Sequence, residues 1–98
     1  MTYKPKFANE DMELLFDAVL SLENKDECYR FFEDLCTIKE IQDMAQRLKV
    51  AHLLDQKTPY HQIVTETHAS TATISRVNKA LIYGADGYKI ILNKTRKP

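Results

Sequence analysis

Apolar residues recur along the chain at the i, i+3, i+4, i+7 spacing of a helix face, and no stretch alternates as a half-buried strand does. Met12, Leu15, Phe16, Val19 and Leu22 form the first stripe, over Glu10 to Leu22, behind a candidate cap at Asn9. Asn24 with Glu27 has the spacing of a capping box, in which two side chains satisfy orphan backbone donors reciprocally. Cys28, Phe31, Phe32 and Leu35 follow as the second stripe. Thr37 and Glu40 repeat the signal and open a longer helix through about Leu54, with Ile41, Met44, Ala45, Leu48 and Ala51 on one face.

Thr58-Pro59 then pairs a cap residue with the one helix position where a missing N–H costs nothing, and predicts a fourth helix of about two turns. Thr67-His68-Ala69-Ser70 interrupts it, and Ser70 is suited to cap a fifth helix carrying Ile74, Val77 and Leu81. Gly84 stops that helix, and Asp86 to Leu92 make a last short one before a basic tail, residues 93–98. The chain therefore predicts as all-α, one domain over 1–98 with its core at about 10–92, without internal repeats or a long linker.

The segment from Thr58 to Leu81, a short capped helix, a tight turn and a second helix with a narrow apolar stripe, reads as a helix-turn-helix. With Ile74, Val77 and Leu81 inward, a 100° wheel puts Ala72, Ser75, Arg76 and Lys79 on the opposite face. Ser70, Thr71 and Ala72 are small enough for close approach to a major groove. Ser75 can donate or accept, and Arg76 and Lys79 can reach guanine edges or phosphates. The same pattern also fits an ordinary helical hairpin with a polar surface. His68 stands where such turns usually place Gly, a site that often needs positive φ, and His is among the non-Gly residues enriched there.

Charge adds to this picture. The formal net charge is zero, but residues 1–36 carry net −5 and residues 37–98 net +5, leaving the second part a positive face for a polyanion or for the first part itself. At 98 residues a private core has a thin margin, and dimerisation is a common remedy. There is neither a bilayer-spanning apolar run nor an apolar signal core near the start, so a cytoplasmic location is expected. Cys28 and Cys36 lack a CxxC or disulfide pattern and are expected as buried free thiols. No metal-ligand spacing joins His61, His68 or a cysteine, His52 reads as a helix-surface or interface residue, and no P-loop, GxSxG or HExxH suggests an enzyme.

Ala69-Ser70-Thr71-Ala72-Thr73-Ile74-Ser75-Arg76, taken with Leu35-Cys36-Thr37-Ile38-Lys39-Glu40 and Met44-Ala45-Gln46-Arg47-Leu48, resembles the Trp repressor superfamily, in particular its YerC/YecD-like group. The resemblance spans residues 10–92 and agrees in the order and lengths of six helices. It implies an intertwined homodimer whose first helices wrap around the partner. It further implies a transcriptional repressor whose two helix-turn-helix units face successive major grooves, roughly 34 Å apart on a pseudo-palindromic operator of double-stranded DNA.

The resemblance also implies a candidate effector pocket. Thr37, Arg47, Thr73 and Arg76 match positions where the tryptophan-responsive member holds its ligand, the two arginines flanking the indole. Val77 stands where that member has Gly, and Ala80 where it has a serine bound to the ligand's amino group. Two extra methyl groups in the space of a flat ring cost roughly 1–3 kcal/mol, and a buried ammonium without its hydroxyl partner is costly. An amino-acid effector therefore stays open, with tryptophan disfavoured, and no other cofactor is implied. Arg76 keeps two readings, pocket wall or DNA contact, and Arg47 a third, an ion pair with Asp43 or Asp55. A rival function is a protein-interaction module that retains the fold and has little affinity for DNA.

Overall fold

The structure, a computed structural model, describes residues 3–96 as six α-helices with no strand among them. They are α1 (Glu10–Leu20), α2 (Lys25–Leu35), α3 (Ile38–Asp55), α4 (Tyr60–Thr67), α5 (Thr71–Tyr83) and α6 (Gly87–Thr95). The chain separates into two compact units, Met1–Thr37 and Ile38–Pro98. No helix among the described residues is long and apolar enough to cross a membrane.

In the first unit the Asn9 side chain accepts from the Met12 N–H at 2.9 Å, and Glu10, Asp11 and Glu13 lie in the first turn of α1, where the helix dipole favours negative charge. α1 stops at Leu20, two residues before the predicted end. Ser21 turns its hydroxyl onto the Ala18 carbonyl at 2.6 Å, the local competition by which serine unsettles a helix. Asn24 caps α2 by accepting from Glu27 N–H, while the Glu27 carboxylate accepts from Glu23 N–H, both at 2.9 Å. The reciprocal bond thus reaches one residue further back than the capping box predicts. Phe31 and Phe32 meet edge to face at 5.5 Å. No residue of α1 or α2 is buried, and Cys28 and Cys36 are free thiols but only half-buried. The expected burial of these thiols fails because this unit encloses no core of its own.

The second unit is built around an aliphatic core. Val50, Ala51 and Leu53 of α3, Ile63 of α4, Ala69 of the turn, and Ile74 and Val77 of α5 form one buried cluster, with Leu54, Val64 and Tyr88 packed against it. The face predicted for α3 is only partly the one used. Ala51 is in the core, but Met44, Ala45 and Leu48 are exposed, because α4 and α5 lie against the Val50–Leu53 side. α4 begins one residue later than Thr58-Pro59 suggests. Pro59 itself is the cap, extended at φ −62° and ψ 148°, and its carbonyl accepts from Gln62 and Ile63 N–H, both at 3.1 Å. Thr58 is held out of the helix by the proline that follows it, and its N–H closes α3 on the Leu53 carbonyl at 3.0 Å.

α6 runs to Thr95, three residues past the predicted Leu92, so the start of the basic tail is helical. Arg96 ends beside α3, with Nη2 2.7 Å from the Asp55 carboxylate. The last two tail residues lie outside the described residues.

Two chain-reversal positions invert the usual roles of their residues. Gly84, after α5, has an ordinary φ of −83°, but a Cβ there would overlap the Ala80 carbonyl oxygen, so glycine serves close approach. His68, after α4, takes the left-handed conformation at φ 59° and ψ 16°, as its place in the sequence predicts. Gly84→Ala is expected to lower stability by about 1–3 kcal/mol, read as a fall in the thermal midpoint by circular dichroism. His68→Gly is expected to move the midpoint upward by up to about 1 kcal/mol in stability, because it relieves the Cβ strain of that conformation.

Candidate nucleic-acid interface

The three-residue connection between α4 and α5, His68-Ala69-Ser70, is closed by local hydrogen bonds. His68 N–H donates to the Val64 carbonyl at 2.8 Å, and the Thr67 hydroxyl donates to the Ile63 carbonyl at 2.7 Å. The same hydroxyl accepts from Ala69 N–H at 3.1 Å. Ser70, extended at φ −69° and ψ 157°, accepts from Thr73 N–H at 3.1 Å and begins α5 as predicted. Ala69 is 3% exposed, so the turn dips its one methyl group into the core and leaves His68 and Ser70 outside. This exchange of inward and outward residues fixes where α5 starts and which way it faces.

On α5, Ile74 and Val77 are buried at 0% and 1% exposure, and Leu81 is half-buried. Ser70, Thr71, Ala72, Ser75, Arg76 and Lys79, the residues expected to meet DNA, are all exposed. No acidic residue lies in the first turn of α5, so the positive end of its dipole is not neutralised there. A helix N-terminus bearing small side chains, with two cations further along its open face, has the chemistry to contact phosphates and base edges.

The residues of the candidate effector pocket occupy different settings. Thr37 belongs to the first unit and the other five to the second. Val77 is part of the buried core, Thr73 bonds through its hydroxyl to Ser70 at 3.0 Å, and Arg76 is exposed. Arg47 is half-buried on α3. The two carboxylates considered as its partners are engaged elsewhere, Asp43 with Lys39 at 3.2 Å and Asp55 with Arg96 at 2.7 Å. Ala80 faces a different space, an open apolar groove of about 620 Å³ that it lines with Leu48, Ala85, Gly87, Tyr88 and Ile91.

One participant escaped the sequence reading. Gln46, half-buried on α3, donates its side-chain amide to the Thr67 carbonyl at 3.0 Å and so reaches the turn from outside the helix pair. A glutamine on a long helix looks like part of a solvated face. Only its i, i+4, i+7 register with Val50 and Leu53 signals that it points toward the core side.

These features have counterparts in known proteins. Residues 10–96 match the family model for the Trp repressor protein. The uncharacterized protein YerC of Bacillus subtilis (strain 168) is 52% identical over 92 residues, which cover 94% of this chain and 88% of YerC. The crystal structure of a candidate Trp repressor from Staphylococcus aureus superposes with a TM-score of 0.87 at 50% identity, covering 91% of this chain and 89% of that one. A TrpR-like protein from Eubacterium eligens gives a TM-score of 0.88 at 49% identity, covering 91% and 92%. With a matching family model over nearly its whole length, and relatives this similar in both sequence and helix arrangement, the chain belongs to the Trp repressor family.

Proposed function

We propose that this protein is a sequence-specific DNA-binding transcriptional regulator, a repressor that acts in the cytoplasm as a homodimer on a pseudo-palindromic operator. The observation that carries the reading is the division of α5: Ile74 and Val77 anchor it in the core while Ser70, Thr71, Ala72, Ser75, Arg76 and Lys79 stand open on the other side. Membership of a DNA-binding regulatory family supports the same conclusion and gives no support to an enzymatic one. In this reading Arg76 contacts a base edge and Lys79 a phosphate, with Ser75 adding a hydrogen bond.

The homodimer is supported by the first unit, which buries no residue of α1 or α2 and leaves Leu14, Phe16 and Leu20 exposed. Dimerisation through this unit, with the helices of the two copies intertwined, would give those side chains cover. Tryptophan is not the effector in this reading, because Val77 is committed to the core and Ala80 offers no hydroxyl to an ammonium group. An amino acid of another shape is left as the effector class, with Arg47, Thr73 and Ala80 of the second unit as the candidate residues.

Fluorescence anisotropy against a pool of genomic duplex fragments, at two salt concentrations and with or without tryptophan, tests the proposal. Tight binding to a subset is expected, weakening steeply with salt through counterion release and unchanged by tryptophan. Arg76→Ala is expected to cost roughly 1–3 kcal/mol on fragments carrying its base pair, whereas Lys79→Ala weakens all fragments alike and lowers the salt slope by about one. Absence of duplex binding at any salt would favour a protein-interaction module instead. Sedimentation at micromolar concentration checks the dimer, and a folded monomer there would refute it.

A further inference from the structure

We infer that Gln46 is a positioning residue for the recognition helix: its amide clamps the turn between α4 and α5 to α3 and thereby sets where α5 presents its outer face. The inference rests on the DNA-binding reading and extends it to a residue that lies on neither helix of the motif.

Thr67 is the last residue of α4, so its carbonyl is among the helix-end acceptors that lack an intrahelical partner. Gln46 supplies one, Nε2 to O at 3.0 Å, in a part-buried setting where an unmet acceptor is costly. The remaining ties from α3 to this motif in the core cluster are aliphatic, through Val50, Ala51 and Leu53 against Ile63, Ala69, Ile74 and Val77. Aliphatic contacts resist separation, yet they have no preferred direction. A hydrogen bond does, and this one acts on the residue immediately before left-handed His68 and four before the start of α5. A small shift at Thr67 is therefore carried into Thr71, Ala72, Ser75 and Arg76. Base reading depends on side chains held within about 0.5 Å, so the position of that carbonyl bears on sequence discrimination and not only on stability.

The test uses the full chain with Gln46→Met, which keeps the volume without the donor, Gln46→Glu, which places an acceptor against the carbonyl, and Gln46→Lys, which restores a donor. Two quantities are read: amide hydrogen exchange at His68 and Ala69, and the ratio of affinities for selected and unselected duplexes at one salt concentration. A ratio cancels the uniform effect of the added charges. Exchange at both amides is expected to accelerate roughly 2- to 12-fold in the Met and Glu variants, the range for one net hydrogen bond. The affinity ratio falls in the same two variants, and both quantities return toward wild type in the Lys variant. Unchanged exchange in the Met variant overturns the inference. So does accelerated exchange with an unchanged ratio, which would make the bond merely structural, and so does global unfolding of the Met variant, because the clamp is local. A wild-type protein that does not discriminate among duplexes would fail the DNA reading alone, and the exchange measurement would still decide whether Gln46 holds the turn.

Discussion

The second unit depends on burying the helix-turn-helix against α3. α4 is eight residues long, well below the roughly 12–15 at which an isolated helix becomes even marginal in water. Its place is secured by Ile63, fully buried in one cluster with Val50, Ala51 and Leu53 of α3 and Ile74 and Val77 of α5. Each large aliphatic side chain withdrawn from water in this way contributes about 1.5–3 kcal/mol. Ala51 and Ala69 add little area but let the backbones come close. No polar or charged residue is buried among the described residues, so the cluster has few directional contacts of its own. Direction comes from its margin, where Gln46, Thr67 and Ser70 make the hydrogen bonds that define the turn.

The same economy explains why so much apolar surface is left over. α3 uses one side for this core, while Leu48 on another side lines two shallow apolar grooves together with Ile91 of α6. In the first unit, α1 and α2 have well-formed caps and an aromatic pair but no buried residue. The charge division follows the same line, acidic before residue 37 and basic after it. Local rules are therefore enough to make six helices among the described residues, whereas the one buried cluster forms where α3, α4 and α5 meet, with Leu92 of α6 buried as well.

How much of this was legible in the sequence varied with the number of faces each helix uses. α5 has one buried stripe, so its period separates Ile74 and Val77 from Arg76 and Lys79 without ambiguity. The caps at Asn9, Asn24 and Ser70 are side-chain chemistry over three residues, and they appear where local spacing puts them. α3 has apolar residues on more than one side, and periodicity alone could not choose between Val50 and Leu48 as the one facing α4 and α5. The end of α6 was missed because Asn93, Lys94 and Thr95 contribute no apolar signal, although Thr95 does bond back to the Ile91 carbonyl at 2.8 Å. The Gln46–Thr67 bond and the Arg96–Asp55 pair join residues 21 and 41 positions apart, and no local pattern records such meetings. On the outer face of α5, residue types and exposure were readable; what holds that face at its angle was not.

The all-aliphatic core has an optical consequence. The chain contains no tryptophan, and its nine aromatic residues are five tyrosines and four phenylalanines. Of these, Tyr88 on α6 is the one packed against the buried cluster, while Tyr60 and Tyr83 of the same unit are exposed. Near-ultraviolet dichroism arises from rings held in asymmetric surroundings, so in the second unit the tyrosine band reports chiefly on the seating of α6. α5 itself ends in exposed Tyr83 and carries no other aromatic ring, so it adds little to that band.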